Sequence, residues 1–429
     1  MSRIHNCALC GSSSLQAFGD LLLSPPANNL CDNSEESIVA EKYPLGLTYC
    51  NECGHIQLSF VVDPQELFTE YGYQTGVSPA LRDHFRIFVN ELPQLLVGQT
   101  SINRPSILDV GSNDGSLLDE ALQIGWETFG VEPASNLLRL NNEIHKIFND
   151  FFHANTAEEI LGVVGRKFNI ITATNVFAHT RPLEEFVKGV KILLAEDGYF
   201  IFEVQYGLLF LKDCLFDMMY HEHTSYHHLR PLVHVLPKYG LQVVDAKMIS
   251  THGGSLRVYC THNSSARISK RAQSILDSEA CDIPSLIDRF CGKVGNQLTL
   301  LESVLSSLDK EKYELFGYTA PAKATTLISA MPNSSSSRIK AIIDDSHFKQ
   351  LKYIPGTAIQ VLALRDFLAY YMNPRTGKTP VFIIFSWNMF ERLAQKLISI
   401  PEIRESKPLF VKPLPDCAIV NPIDFLEKQ

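Results

Sequence analysis

Short apolar runs alternate with amphipathic, helix-like stretches between residue 106 and about residue 203. The apolar runs lie at 107–110, 128–131, 168–174 and 199–204, and the helix-like stretches lie at 155–164 and 183–194. This alternation is typical of a parallel sheet wound with helices. A helical run at 229–239 follows, and then two strand-like runs at 241–248 and 255–260, which predict that the sheet has an antiparallel ending.

The rest of the chain begins with residues 266–309, which are amphipathic and poor in turns and predict one or two long helices. A second alternating unit starts at Leu315, with apolar runs at 339–343 and 381–385. The serine-rich stretch 333–337 predicts a solvated loop. The pattern therefore predicts an α/β protein. We place the domain bounds at 1–70, 71–265, 266–310 and 311–429.

Composition narrows the class of protein. A chain of 429 residues is too long for one core, so two or three domains are expected. A formal net charge of −9 without a basic block argues against nucleic-acid binding. The amino-terminal residues lack the apolar core of a signal peptide, and no apolar run reaches a membrane-spanning length. We therefore expect a cytoplasmic protein that binds neither nucleic acid nor membranes, and we expect a monomer or weak dimer.

Four of the ten cysteines form two C-x-x-C pairs, Cys7 with Cys10 and Cys50 with Cys53. Each pair can present two thiolates to one ion at about 2.3 Å, and two pairs complete a tetrahedral zinc site. Four unrelated buried cysteines and a redox pair are weaker alternatives, because paired knuckles beside a glycine favour a metal. Four thiolates leave no open coordination position, so the zinc is expected to be structural.

A glycine-containing loop follows the first apolar run. Its candidate ligand-binding residues are Asp109, Gly111, Asn113, Asp114 and Gly115. Glycines at a strand-to-helix turn allow a ligand to approach the backbone, and the start of the helix adds a favourable dipole.

The next apolar run ends in Glu132 and Pro133, and an acidic residue about twenty residues after such a loop can bind both ribose hydroxyls. A dinucleotide needs G-x-G-x-x-G, whereas here glycines stand at 111 and 115 after Asp109. This form suits S-adenosylmethionine, which has no phosphates. A plain αβ turn without a ligand and a nicotinamide dinucleotide site are the alternatives.

Two further groups of polar residues are candidates for chemistry. Asn175 and His179 follow the apolar run at 168–174, at the edge where open parallel sheets bind ligands. Tyr220, Glu222 and His223 lie in the segment that is densest in ionisable side chains.

A neutral histidine can remove a proton from a carbon beside a ketone, and a neighbouring Glu or Tyr can orient it. A metal is the rival interpretation of residues 220–228, but H-E-H lacks the spacing of a helical zinc motif. A surface loop that merely contains histidines is a further alternative. Downstream, residues 252–257 either close over the active site or form a hairpin turn.

Taken together, these motifs resemble those of the sugar C-methyltransferase family, the enzymes that branch deoxysugars in antibiotics and cell-surface polysaccharides. Further blocks that carry the resemblance are 43–45, 54–58, 71–78 with His84, 252–257, 317–323, 353–357 and 387–388. They span nearly the whole chain. One position departs from the pattern: Ala324 stands where similar proteins usually have a second glycine.

The resemblance implies an amino-terminal zinc-binding domain and a central class I (Rossmann-like) methyltransferase domain. It also implies a carboxy-terminal Rossmann-like domain that shapes a cleft for a sugar nucleotide. The implied cofactors are S-adenosylmethionine and a structural zinc. The implied substrate is a nucleotide-linked (dTDP- or GDP-) 4-keto-deoxysugar. An NAD-dependent sugar-nucleotide oxidoreductase and a sugar O-methyltransferase are the alternatives.

The resemblance also implies a mechanism without a catalytic metal. A base removes the proton next to the 4-keto group, and the enolate takes the methyl group at C3. His223 matches the base. Residues implied to position the sugar or stabilise the enolate are Tyr220, Glu222 and His179, together with Tyr71 or Tyr73.

Overall fold

The computed structural model of the chain describes residues 2–69, 71–72, 74–98, 104–138, 144–372 and 377–421. The chain divides into two compact units, each built from several stretches. The first comprises 1–17, 47–209 and 222–284, and the second comprises 18–46, 210–221 and 285–429. Among the described residues, no helix has the length and apolar character needed to cross a membrane.

The amino-terminal elements are five strands and two short helices. They are β1 (Ser2–Arg3), β2 (Leu15–Ser24), α1 (Ser34–Ile38), β3 (Tyr43–Cys50), β4 (Ile56–Leu58), β5 (Phe60–Val61) and α2 (Pro64–Phe68). In the first unit β1 pairs with β5 and β3 pairs with β4, both antiparallel. Helix α2 begins where it does because the Asp63 side chain accepts the N–H of Gln65 and Pro64 fits the first helical position.

The first unit is built around a seven-stranded sheet. Its elements are α3 (Pro79–Glu91), β6 (Ser106–Val110), α4 (Ser116–Gln123), β7 (Glu127–Val131), α5 (Ser135–Leu138), β8 (Lys146–Phe148), α6 (Ala154–Val164), β9 (Phe168–Thr174), α7 (Leu183–Leu193), β10 (Leu194–Gln205), α8 (Gly207–Lys212), β11 (Ser225–Tyr226), α9 (Leu229–Val235), β12 (Gln242–Ile249), β13 (Ser255–Thr261) and α10 (Lys270–Ser278). Helix α8 crosses into the second unit at residue 210.

The sheet has the strand order β12-β13-β10-β9-β6-β7-β8. Strands β10, β9, β6, β7 and β8 are parallel, whereas β13 is antiparallel to both of its neighbours. The predicted antiparallel ending is therefore confirmed. The order reverses between β9 and β6, and open sheets bind ligands outside the carboxyl ends of the strands at such a point.

A buried ion pair joins β10 to β13 and α3. Arg257 Nε donates to Glu203 Oε1 at 2.6 Å, and both side chains are at most 2% exposed. His84 Nε2 lies 2.8 Å from the other oxygen of Glu203, and the Arg257 guanidinium lies 3.8 Å from the centre of the Phe88 ring. Burial alone raises the pKa of a carboxyl, but His84 and Arg257 reverse this and lower the pKa of Glu203.

The second unit contains its own six-stranded sheet. Its later elements, of which the first begins in the last two residues of the first unit, are α11 (Ile283–Ser307), β14 (Tyr313–Tyr318), α12 (Ala322–Ala330), α13 (Asn333–Ser336), β15 (Ile339–Ile343), β16 (Gln360–Leu362), α14 (Leu364–Tyr371), β17 (Thr379–Ile384), α15 (Phe390–Ile398), α16 (Pro401–Glu405), β18 (Leu409–Lys412) and β19 (Ala418–Val420). The order is β16-β15-β14-β17-β18-β19, parallel except for β19.

This arrangement confirms the predicted second Rossmann-like sheet. One local prediction is wrong: the stretch 333–337 is not a loop, because Asn333–Ser336 forms a helical turn that buries Ser335.

A buried polar cluster lies at the carboxyl edge of the second sheet. Trp387 Nε1 donates to Asp217 Oδ2 at 2.6 Å, and Lys323 Nζ lies 4.2 Å from the centre of a Trp387 ring. Burial lowers the pKa of Lys323 to about 8 and raises that of Asp217 to about 6. The bond to Trp387 holds Asp217 in place, and Asp217 lies three residues before Tyr220 in the chain.

We predict that Arg257→Leu lowers the free energy of unfolding by about 3–5 kcal/mol, because it leaves the Glu203 carboxylate buried beside a weaker partner. Denaturant unfolding followed by fluorescence checks this. Since pairing lowers the pKa of Glu203, its contribution is present above about pH 4.3 and is lost as the pH falls through the folded-state pKa.

The matched control is Glu184→Gln, which breaks an exposed ion pair with Lys188 on α7 and should leave stability nearly unchanged. If Glu184→Gln lowered the free energy of unfolding as much as Arg257→Leu does, the buried pair would contribute no more to stability than an exposed pair, and the prediction would be wrong.

Candidate active site

The sulfur atoms of the two C-x-x-C pairs converge in the first unit. The Sγ atoms of Cys7, Cys10, Cys50 and Cys53 all lie within 4.8 Å of one another. Cys7 Sγ is 3.7 Å from Cys53 Sγ, and Cys10 Sγ is 3.6 Å from Cys50 Sγ. Four sulfurs bound to zinc at about 2.3 Å form a tetrahedron with edges of about 3.8 Å. The cluster therefore fits a structural zinc ion.

The strand next to this cluster supports the segment that carries His223. Strand β4 follows the second cysteine knuckle directly and pairs antiparallel with β11. The N–H of Leu58 also donates to the carbonyl of Thr224 at 3.0 Å. The metal-binding region thus holds the backbone immediately after His223.

The loop between β6 and α4 has the backbone form that the glycines predicted. Gly111 has a φ of +69°, and an added Cβ would lie 2.4 Å from a methyl carbon of Val176. Gly115 has a φ of +79° and immediately precedes α4. The hydroxyl of Ser112 is buried, and among the described residues it has no hydrogen-bond partner. The loop is thus a tight turn with a buried hydroxyl that no described residue bonds.

The acidic residues beside this loop are buried. Glu132 accepts hydrogen bonds from the backbone N–H groups of Asn113 and Ala134, both at 2.8 Å. Burial raises the pKa of Glu132, although these two N–H groups act in the opposite direction. Asp109 accepts a hydrogen bond from the Thr172 hydroxyl at 2.7 Å, and burial raises its pKa to about 7. Glu132 therefore shapes the loop, and its carboxylate retains lone pairs for further bonds.

Pro133 and Asn175 follow β7 and β9, the two strands that flank β6 in the sheet. Pro133 follows Glu132, and its carbonyl accepts a hydrogen bond from Asn149 at 3.1 Å. Asn175 has a left-handed backbone with a φ of 59°, and its N–H donates to the carbonyl of Glu203. Asn175 thus begins the turn that leads from β9 to His179.

The side chains of the loop also hold a segment that precedes α3. Asn113 Oδ1 accepts the N–H of Thr75 at 3.0 Å, and Asp114 Oδ2 accepts the N–H of Gly76 at 2.6 Å. A Cβ on Gly76 would lie 2.8 Å from that same oxygen of Asp114. Asn113 and Asp114 therefore join the loop to residues 75–76, a role that the sequence pattern did not predict.

Four of the predicted catalytic residues come together beside this segment. Tyr71 donates its hydroxyl to Glu222 Oε2 at 2.9 Å. The ring of His179 lies 5.1 Å from that of His223, centre to centre, and stacks on Phe68 at 5.6 Å. Phe68 was not predicted, because a phenylalanine at the end of a short helix carries no chemical signal. Predicted Tyr73 lies outside the described residues.

The histidines of the segment 220–228 differ in burial. His221, His227 and His228 are buried, and burial lowers their pKa values to about 4, 4 and 3. His223 is half-buried. The three buried histidines are therefore neutral parts of the core, whereas His223 is partly exposed to solvent.

Tyr220 and His221 belong to the second unit, whereas Glu222 and His223 belong to the first. Tyr220 is buried, and His221 contacts the Tyr43 ring edge-on at 5.8 Å. The predicted catalytic role of Tyr220 stays a prediction.

Three family models match successive parts of the chain. A model described as "Putative zinc binding domain" matches residues 7–68 and one described as a methyltransferase domain matches residues 83–246. A third, described as a C-methyltransferase C-terminal domain, matches residues 250–415. The chain is an S-adenosylmethionine-dependent C-methyltransferase with an amino-terminal zinc-binding domain.

A full-length relative agrees with this class. The C-methyltransferase NovU of Streptomyces niveus is 26% identical over 427 residues, which cover 97% of each chain. The resemblance stated from the sequence is thus confirmed at the level of C-methyltransferases, and the comparison favours this class over the NAD-dependent alternative.

Solved structures are similar to part of the chain. Magnesium protoporphyrin IX methyltransferase from Synechocystis PCC 6803 is 16% identical, with a TM-score of 0.32 over 43% of this chain and 87% of that chain. A methyltransferase from Archaeoglobus fulgidus is 12% identical, with a TM-score of 0.32 over 42% of this chain and 94% of that chain.

We predict one zinc ion per chain, held by the four clustered thiolates. Cys50→Ser should reduce the zinc content and loosen the first 60 or so residues, because thiolate ligation couples folding to metal binding. Elemental analysis and limited proteolysis measure the two effects. Cys281→Ser is the control, since Cys281 is exposed and lies outside the cluster. Well under one zinc per chain in the freshly purified parent protein would refute this assignment.

We predict that Glu132→Ala weakens binding of S-adenosylmethionine by about 1.5–3 kcal/mol, because it removes a charge-assisted hydrogen bond. Titration calorimetry gives the affinity. Glu127→Ala serves as the control, since Glu127 begins the same strand and pairs with Arg166 instead. Unchanged affinity in Glu132→Ala would show that the cofactor lies elsewhere.

Proposed function

We propose that this C-methyltransferase acts on a nucleotide-linked 4-keto-deoxysugar and methylates its C3 carbon after base-catalysed enolisation. The observation that supports this best is the cluster of Tyr71, Glu222, His179 and His223. A carbon acid needs a base, and His223 is a half-buried histidine that follows Glu222 directly in the chain and lies 5.1 Å, ring centre to ring centre, from His179.

In the proposed reaction, neutral His223 removes the C3 proton, and the C–H electron pair moves into the enolate. Tyr71 is held by Glu222 and contributes to positioning the sugar, and His179 lies beside the base. Tyr220 and Tyr73 are assigned the same positioning role on the family resemblance alone. S-adenosylmethionine, when bound, supplies an electrophilic methyl group and leaves as S-adenosylhomocysteine.

The residues proposed to hold the cofactor lie at the carboxyl ends of β6, β7 and β9. They are Asp109, Gly111, Asn113, Asp114, Gly115, Glu132, Pro133 and Asn175. The tight turn at Gly111 supports this set, since any larger residue would collide with Val176. The buried Ser112 hydroxyl supports it as well.

The wider proposal includes the domain bounds 1–70, 71–265, 266–310 and 311–429. It also includes a small-molecule acceptor, a monomer or weak dimer, and a cytoplasmic location. None of the ten cysteines forms a disulfide in the described structure, and a thiolate zinc site suits a reducing compartment. A sugar O-methyltransferase is the competing function.

We predict that His223→Ala lowers the methylation rate by about 10²- to 10⁴-fold, the usual contribution of a catalytic base, and leaves cofactor affinity unchanged. The direct measurement is exchange of the C3 proton of the keto-sugar with deuterated solvent, followed by NMR. His223→Ala should abolish exchange, and His221→Ala should only weaken it. His234→Ala, in an exposed helical position, should have no effect.

Two results would count against parts of this proposal. If His223→Ala exchanges at the parent rate while Tyr220→Phe or His179→Ala does not, the base is misassigned. If the parent enzyme methylates a hydroxyl oxygen and shows no exchange, the enolisation mechanism fails.

A further inference from the structure

Gln205, the last residue of β10, carries a buried amide for which the described part of the chain offers no hydrogen bond. Its side chain is among the buried polar groups at 8% exposure. Neither Nε2 nor Oε1 has a partner there. Buried side-chain amides nearly always find partners in native proteins, so two unpaired atoms in one amide indicate a group kept for a ligand.

A second buried polar atom lies on the neighbouring turn. The turn Thr251–Gly253 connects β12 to β13, and the hydroxyl oxygen of Thr251 is buried and has no partner among the described residues. Gln205 pairs with Ser255, the first residue of β13, and the N–H of Tyr206 donates to the carbonyl of Gly254. The amide and the hydroxyl therefore belong to the same corner of the sheet.

The direction of Gln205 follows from strand geometry. Alternate residues of a strand face the same side, so Gln205 shares its face with Glu203. Glu203 is neutralised by Arg257, and His84 lies beside it. The surroundings of the Gln205 amide thus combine polar groups with little net charge.

This corner is separated from the cofactor loop. Strand β10 is two positions from β6 in the sheet, which corresponds to about 10 Å. Asn175, just after β9, is the member of the proposed cofactor set that lies nearest to this corner. Gln205 lies on the far side of Asn175 from the loop, and we assign the group that it binds to the methyl acceptor rather than to the cofactor.

We propose that Gln205 and Thr251 bind neutral oxygen atoms of the acceptor, namely a hydroxyl or a carbonyl. An amide and a hydroxyl can each donate and accept, which matches such oxygens. A phosphate or carboxylate would need an unpaired cation, and Arg257 is already paired. This inference rests on the proposed function in one respect: it assigns the sugar ring, and not the diphosphate, to this corner.

The test compares Gln205→Met with the parent enzyme. Methionine has a similar shape without the amide, so KM for the acceptor should rise about tenfold, the usual effect of one lost hydrogen bond. The affinity for S-adenosylmethionine should stay within twofold of the parent value. The melting temperature should stay level or rise, because the variant no longer buries an unpaired amide.

Gln57→Met is the matched control. Gln57 is also buried, but its amide bonds to Ala8 N at 2.7 Å and to the carbonyl of Asn6 at 3.2 Å. Its replacement should therefore lower the melting temperature. A fall of similar size in Gln205→Met would overturn the proposal, because it would show that the amide is bonded within the protein.

A specificity measurement separates binding from a structural role. Two acceptors that differ by a single hydroxyl should be distinguished about tenfold by the parent and equally used by Gln205→Met or Thr251→Val. If both variants keep the parent's discrimination and KM, the proposal is wrong. If the parent methylates an acceptor other than a keto-sugar, the proposed function fails, and KM for that acceptor decides on Gln205 in the same way.

Discussion

Glu203 is the residue that joins the elements at one edge of the first sheet, the edge at the carboxyl end of β10. Its carboxylate binds Arg257 of β13 and His84 of α3, and its carbonyl accepts the N–H of Asn175 after β9. A carboxylate buried this deeply is tolerated only when it is fully paired. Through its carboxylate and its carbonyl, Glu203 therefore ties four elements together at the edge of the sheet where β6 is followed by its glycine-containing loop and where β13 begins.

The metal-binding region has a comparable role for the histidine segment. The cysteine cluster holds β4, β4 pairs with β11, and β11 follows the Glu222–His223 pair by one residue. His55 Nε2 also lies 3.1 Å from the Ser225 hydroxyl. A metal without an open coordination position can thus influence the position of the histidine segment through the backbone that it supports.

The architecture could be predicted from the sequence because hydrophobic periodicity reports burial directly. Strand β9 has the bounds that its apolar run predicted, and the long α11 and the second sheet also follow the pattern.

The polar interactions could not be predicted in this way. Tyr71 and Glu222 are 151 residues apart, and nothing in either residue's neighbours indicates the other. His223 and His227 look alike in the sequence, and only the packing around them separates an accessible histidine from a core histidine. Glu203 did carry a signal, because a polar residue inside an apolar run implies a buried partner or a ligand.

The thiolate cluster makes the enzyme sensitive to chemistry that does not involve its active site. Metal-bound thiolates remain open to oxidation and alkylation, and either change releases the metal. Strand β4 would then lose its anchor, and the backbone bond from Leu58 to Thr224 would lose its support. Peroxide or an electrophilic drug could in this way stop methyl transfer, although none of the side chains proposed for proton removal contains sulfur.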